Sequence, residues 1–387
     1  MLTEERNRRM TETGPGTPGG DFLRRYWFPI AAVSELDKEP VQPIRLLGES
    51  LTLFRSLKGG LGLIAERCAH RLLPLMYGIP HESGLRCAYH GWIYDTEGTV
   101  VERPFEPTCP PLKVTSYPVE ALGGLVFAYL GPEPRPLLPR WEAFIRDDLD
   151  RKMNFTPLPC NYVQCMDNSM DPVHFEYLHG HYGNYLLGLR DEPPAFNTAS
   201  AHVKIDFDVA DHGLIYKRRL LTGESEDGDD WTIGHPIVFP YMLASPTGSL
   251  GFQIRVPVDD THTMHINYTT SQPKESGNPT EVIEHTELEV DSWGRVNRSA
   301  GIVVPQDMMA WVGQGPVMDR TKEYLATSDK GVVLYHKLLL DNIDRVGRGE
   351  DPFGVIRDGA KNEMLEIKKT TTEREGFNIP GALRGRA

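Results

Sequence analysis

The chain has 387 residues, 40% of them hydrophobic, and a formal net charge of −13. Two domains are the natural expectation at that length, with enough apolar side chains for packed cores. So acidic a chain suits neither a nucleic-acid backbone nor an anionic membrane, although an acidic face can meet a basic protein partner.

The N-terminus carries charges but no apolar secretory core, and no apolar run approaches the ~18 residues of a membrane span. A soluble, cytoplasmic protein is expected. The five cysteines, Cys68, Cys87, Cys109, Cys160 and Cys165, are an odd set that does not suggest a disulfide framework. The 31 prolines and 37 glycines imply many turns, hence a large β content.

Short helices are expected at 3–12 and 19–26, separated by the loop "GPGTPGG". From about 28 to 132 the chain alternates short β-like runs with turns: "IRLLG", "SLTLFRS", "LGLIAE", "WIYD" and "GLVFAYLG". The Pro-rich "GPEPRPLLPRW" (131–141) cannot continue a sheet and marks a boundary. A helix is expected around 164–178. The runs "HVKIDFDVA", "GLIYKRRLLT", "HPIVFPYMLA", "GFQIRVPV" and "TMHINYTT" follow, and their alternation suits an antiparallel sheet with one face covered. Helical patterns return near 279–288, 306–325 and 329–347. The polar closing stretch "TTTEREGFNIPGALRGRA" is expected to be mobile or partner-bound.

Two motifs carry chemistry. The first is "CAHR" with "CAYHGW": Cys68 and His70 on one loop, Cys87 and His90 on another, with sixteen residues between the pairs. Four soft or borderline ligands converge if the loops belong to adjacent hairpins. A structural zinc site is one candidate, although zinc fingers usually pair Cys with Cys and His with His. A chance packing of core residues is the plainest alternative. A two-iron, two-sulfide cluster, with both thiolates on one iron and both imidazoles on the other, accounts for one Cys and one His on each loop.

The second motif, in "QCMDNSMDPVHFEYLHGHYG", is Asn168, Asp171, His174 and His179 as N-x2-D-x2-H-x4-H. Asp171 and His174 share a helix face, but His174 and His179 lie about 140° apart on a regular helix. They can bind one metal only if the helix is widened or broken there. Two His plus one carboxylate is the facial triad of non-haem iron(II) sites; scattered surface histidines are the bland alternative. The carboxylate must come from elsewhere, and "VVPQDMMAWVGQGPVMDRTKEYL" offers Asp307 and Asp319. Asp319, followed by Arg320 and Lys322, looks like an ordinary charged helix face. His181 is expected to point away.

The first motif resembles the Rieske signature, with Ala69 where Pro is more usual; the second resembles the mononuclear iron motif of Rieske non-haem iron oxygenases. The resemblance covers nearly the whole chain. It implies an α+β fold: N-terminal helices and an all-β Rieske [2Fe–2S] domain at 1–135, then a helix-grip catalytic domain with C-terminal helices at 136–387. It implies a cluster held by Cys68, His70, Cys87 and His90, covered by the Pro-rich "RPFEPTCPP" (103–111), in which Cys109 is a packed thiol. It implies an iron(II) held by His174, His179 and Asp307, the last sitting where the family pattern has its acidic ligand. Asp171 would orient His174 and carry the electron by contacting His90 from a neighbouring subunit, within a homotrimer or a dimer of trimers. Asn168 matches a family Asn near the iron, with a packing role equally open.

The opening "TETGPGTPGGDFLRRYWFPIA" resembles the phthalate-dioxygenase-like branch, and "FQIRVPVDDTHTMHINY" the dehydrodivanillate-type aromatic O-demethylases. The implied reaction oxidises a methoxylated aromatic acid with O2 and releases formaldehyde; cis-dihydroxylation of an aromatic ring is the alternative. A substrate carboxylate would need a donor such as Arg218, Arg219 or Arg255, of which strand alternation allows at most one of the first two to face inward. His265 and Asn267 share a face and are further pocket candidates. The chain has no strand-following G-x-G-x2-G, so electrons from NADH must arrive through a separate reductase, directly or through a ferredoxin. Outside the family, two classes compete: a Rieske protein that only transfers electrons, and a small-molecule-binding module with zinc at the four Cys and His. Colour separates these, red-brown for the cluster and none for zinc.

Overall fold

The computed structural model describes residues 2–367 apart from 107, 109, 195–200, 222–227, 246–249, 274–278, 298–300 and 302. Cys109 and the closing polar stretch therefore lie outside the described residues.

Two helices open the chain, α1 (Glu4–Thr11) and α2 (Pro18–Leu23). Each begins at a threonine whose hydroxyl accepts a free backbone N–H, Thr3 from Arg6 and Thr17 from Gly20. Among the described residues eleven strands follow: β1 (Trp27–Ala32), β2 (Val41–Leu46), β3 (Glu49–Arg55), β4 (Leu61–Ala65), β5 (Ile79–His81), β6 (Gly84–Arg86), β7 (Ile93–Tyr94), β8 (Val100–Glu102), β9 (Ser116–Tyr117), β10 (Val119–Leu122) and β11 (Leu125–Tyr129). They make three small antiparallel sheets, ordered β1-β11-β10, β2-β3-β4-β9 and β5-β6-β7-β8. Between the last two lies a separate small core of Phe54, Ile64, Leu75, Leu85, Trp92, Tyr94 and Val100, and it also takes in Cys68 and Cys87.

Beyond the Pro-rich stretch come α3 (Glu142–Ile145), β12 (Asp150–Leu158) and α4 (Tyr162–Ser169). A π-helix (Phe175–Tyr182) and α5 (Gly183–Gly188) follow. Next are β13 (His202–Ala210), β14 (Gly213–Leu220), α6 (Asp229–Thr232), β15 (His235–Val238), β16 (Met242–Ala244), β17 (Gly251–Asp259), β18 (His262–Ser271) and β19 (Glu281–His285). The chain then forms α7 (Val304–Gly313) and α8 (Lys330–Gly347). The strands β12–β19 build one eight-stranded sheet, ordered β13-β14-β15-β16-β17-β18-β12-β19.

Alternation along this sheet sorts its faces. Met153, Phe155, Phe252, Ile254, Val256, Ile266 and Tyr268 enter the main core, which continues into β1, β11 and α8 across the Pro-rich stretch. The opposite side of β12, β17 and β18 carries the buried polar residues Thr156, Arg255, Thr263 and His265. A sheet with polar groups buried on one side needs a covering layer that answers them. Here α7 is part of that layer, with Trp311 0% exposed beneath it. Helices α1 and α2 pack on α8 rather than on the small sheets, with Arg9 paired to Asp344.

Three expectations fail in detail. The 279–288 stretch is a strand: β19 pairs parallel to β12, from Arg151↔Glu281 to Phe155↔His285. Its apolar residues Val282, Ile283 and Leu288 are not spaced for one helical stripe, and an open sheet edge satisfies the backbone instead. The 164–178 helix is two elements. Helix α4 ends at Ser169, Pro172 offers no N–H, and Asp171 Oδ1 accepts the Val173 N–H at 2.8 Å before the π-helix starts. The 306–325 helix stops at Gly313, where Gly315 at φ +90° and Pro316 turn the chain. Asp319 is consequently not on a helix face. It pairs with Lys322 at 2.9 Å, while its neighbour Arg320 is fully buried.

Candidate metal centres

The β4–β5 and β6–β7 connections carry the first pair of loops. Their backbones close on themselves: Cys68 N–H donates to Leu73 O at 3.0 Å, and Cys87 N–H to Trp92 O at 2.8 Å. Both thiols are 2% exposed, whereas His70 lies at the surface and His90 is half-buried. The two imidazoles sit side by side, ring centres 4.4 Å apart, and His70 stacks on Trp92 at 4.7 Å. Gly91, at φ +79°, makes the turn after His90; a Cβ there would meet Pro104 of the Pro-rich strap at 3.2 Å. Pro104, near the start of that strap, therefore packs on this turn.

One finding separates a cluster from a single ion. Among the described residues, only His174, His179 and Asp307 offer three ligand atoms within 4.8 Å of one another. No three of Cys68, His70, Cys87 and His90 do so, yet bonds of about 2.0–2.3 Å to one zinc would draw its donors closer than that. Buried thiols on one side and paired imidazoles on the other fit a two-iron group instead. The sequence did not single out Tyr94. Its hydroxyl lies 3.1 Å from Cys68 Sγ and accepts the Ala69 N–H at 2.9 Å. Burial first, then Cys68, pushes the Tyr94 hydroxyl pKa up, so it stays a protonated donor.

The second centre joins the π-helix to α7. The required widening is present: a π-helix closes i to i+5, the spacing of His174 and His179. Their rings lie 5.1 Å apart, and their Nε2 atoms reach Asp307 Oδ1 at 3.5 Å and 3.1 Å. Two bonds of about 2.1 Å at right angles span about 3 Å, so the donors suit one shared cation. Asn168 Nδ2 donates to the same carboxylate oxygen at 3.3 Å. Burial opposes protonation of His179, but the Asp307 carboxylate outweighs it and raises the pKa; His174 is lowered, mainly by burial.

Asp171 differs from expectation. Its main-chain carbonyl, not its carboxylate, meets His174 Nδ1. The carboxylate instead takes the Val173 and His174 N–H groups and stays 27% exposed. His181 is exposed and stacks on Tyr177, away from the centre.

Of the pocket candidates, Arg218 is buried and bonded to Asp230 at 3.0 Å, and Arg219 is half-exposed, which is the expected alternation. Arg255 and His265 are cross-strand partners, both 1% exposed, and both lie against Trp311. Burial and then Arg255 push the His265 imidazole down to about 3, so it is neutral. Asn267 is half-buried on the same face. Asp167, next to Asn168, was also missed: it anchors α4 through Arg320 at 2.6 Å and His336 at 2.8 Å. A buried charged pair across 153 residues leaves no local signal.

Two sulfur-and-imidazole loops in a β-rich domain, followed by a two-histidine, one-carboxylate centre on a helix-covered sheet, describe oxygenases that keep electron storage and oxygen chemistry in separate domains. Residues 26–118 match the Rieske [2Fe-2S] domain, and 294–370 match the family described as "LigXa C-terminal domain like". The 5,5'-dehydrodivanillate O-demethylase oxygenase subunit of Sphingobium sp. (strain NBRC 103272 / SYK-6) is 38% identical over 380 residues, covering 95% of this chain and 86% of the relative. The phthalate 4,5-dioxygenase oxygenase subunit of Pseudomonas putida is 28% identical, covering 92% and 89%. The fold is also that of a carbazole-bound oxygenase solved with the ferredoxin of carbazole 1,9a-dioxygenase, with TM-score 0.63, 19% identity and coverage of 93% and 98%. The chain belongs to the Rieske non-haem iron oxygenases, in their phthalate-dioxygenase-like branch. It is an O2-dependent oxidoreductase whose cofactors are a Rieske [2Fe–2S] cluster and a mononuclear iron. No helix among the described residues is long and apolar enough to cross a membrane.

Proposed function

We propose that this chain is the terminal oxygenase component of an aromatic O-demethylase acting on a methoxylated aromatic acid. In this proposal O2 and electrons from NADH convert a methoxy group to a free phenol and formaldehyde. The near full-length likeness to an O-demethylase oxygenase subunit carries it. Electrons come from a separate reductase, directly or through a ferredoxin. The division at about residue 135 separates the electron-carrying domain from the catalytic one.

Cys68 and Cys87 would hold one iron of the cluster and His70 and His90 the other; His174, His179 and Asp307 would hold the mononuclear iron. When bound, these groups supply a one-electron store and open positions for O2. The rest falls to the chain. Asn168 steadies the Asp307 carboxylate. Asp171, its carboxylate partly exposed, faces His90 of the partner subunit in a homotrimer or a dimer of trimers. Arg255 supports an acidic substrate. Among the described residues no carboxylate pairs with it; its bonds go to the Gln253 carbonyl and side-chain amide, and its Nε has no partner. A buried cation is costly until an anion joins it.

Product analysis with a surrogate reductase, NADH and O2 tests the proposal on aromatic acids with and without methoxy groups. Formaldehyde and a free phenol are expected, and Arg255→Leu should raise KM for the acids at least about tenfold while sparing uncharged analogues. A cis-diol without formaldehyde would move the chain to ring dihydroxylation. Tyr94→Phe should lower the cluster's reduction potential by some tens of millivolts, since a hydrogen bond to a ligating sulfur favours the reduced form. Redox titration followed by circular dichroism measures it, and an unchanged potential removes Tyr94 from cluster tuning.

A further inference from the structure

His179 is gripped by two consecutive residues of α7. Asp307 Oδ1 lies 3.1 Å from its Nε2, and Gln306 Oε1 lies 3.0 Å from its Nδ1. The same Gln306 oxygen accepts the Val303 N–H at 3.1 Å. That second bond decides the chemistry of the first. A backbone N–H only donates, so the atom facing it is the amide oxygen and not the nitrogen. An oxygen only accepts, so His179 carries a proton on Nδ1, which leaves Nε2, on the Asp307 side, as the atom that a metal ion would take.

The amide is retained at a cost. Gln306 is 2% exposed, and its Nε2 is buried with no hydrogen-bond partner among the described residues. Val303, which supplies the second N–H, sits at φ +71°, a strained value for a β-branched residue. A glutamate here would accept both N–H groups and leave no orphaned donor. It would also set a second negative charge beside Asp307 and draw the proton from His179, making that imidazole a stronger and more anionic donor.

We propose that Gln306 is a positioning residue of the mononuclear centre: its oxygen fixes the tautomer of His179, and its neutrality holds the ligand set at a single negative charge. This rests on His174, His179 and Asp307 being the metal ligands. His174 meets the same requirement differently, through the neutral main-chain carbonyl of Asp171. Both imidazoles therefore have uncharged outer acceptors.

The test uses the full-length protein, stripped at the mononuclear centre and titrated anaerobically with Fe(II). The Co(II) absorption spectrum and the iron reduction potential are recorded alongside. Gln306→Leu is expected to weaken Fe(II) binding about 10- to 100-fold and to alter the cobalt bands, with the Rieske spectrum intact. Gln306→Glu keeps both acceptors, so it should fold and bind Fe(II) at least as tightly as the parent, with the potential shifted negative. Parent-like affinity and cobalt bands in Gln306→Leu, or an unshifted potential in Gln306→Glu, would overturn the proposal and leave the amide as a cap for α7. Should Gln306→Leu not fold, the Gln306→Glu potential decides alone. Failure of the ligand assignment looks different: the parent would take up no additional ferrous ion, or His174→Ala would still bind it.

Discussion

Asp307→Ala is expected to abolish turnover while leaving the red-brown Rieske spectrum in place. The carboxylate is 6% exposed, and its Oδ1 is the atom that both His174 and His179 approach. Without it, two neutral imidazoles remain, and they cannot hold a divalent ion as two imidazoles and an anion do. Loss of an outer partner typically costs 10- to 100-fold, so loss of a ligand should exceed that, on the order of a thousandfold or more. Stability should fall by roughly 0.5–1.5 kcal/mol, because the partly buried Asn168 Nδ2 loses its acceptor. Iron analysis against the cluster absorbance checks the assignment. Normal mononuclear iron content in the variant would strike Asp307 from the ligand set.

Asp171→Asn should give the opposite pattern, with both centres loaded and the electron delayed between them. An asparagine oxygen can still cap the turn at Val173, so the π-helix keeps its start, although the longer bond from the His174 N–H at 3.2 Å loses its acceptor. What disappears is the negative charge of a group that is 27% exposed. Reoxidation of a pre-reduced cluster, followed by stopped flow in a single turnover, should slow by about 100-fold, at the upper end of the effect of an outer partner. Normal reoxidation with normal steady turnover would mean that the electron does not pass through Asp171.

The π-helix shows how far a sequence can carry such inferences. The x4 spacing of His174 and His179 is incompatible with a shared metal on a regular helix, so the sequence required a widened or a broken helix there. Pro172 and the acceptor side chain of Asp171 explain where the widened turn starts. Strand alternation likewise separated Arg218 from Arg219, although it could not say that Asp230 would take up the buried one. It failed for 279–288, where burial pattern and local propensity were both weak and a free sheet edge decided the outcome.

The sequence alone singled out the candidate donor pairs, because cluster and iron chemistry restrict ligands to a few residue types at short, rigid spacings: Cys68 with His70, Cys87 with His90, His174 with His179. Tertiary structure alone decided which distant groups complete and tune them. Gln306 reaches His179 across 127 residues, Tyr94 reaches Cys68, Arg320 anchors Asp167, and Arg255 lies buried with its hydrogen bonds on Gln253. Each depends on how helices seat on a sheet face, and hydrogen bonds and ion pairs made across such a seam leave no periodic trace in the residues that make them.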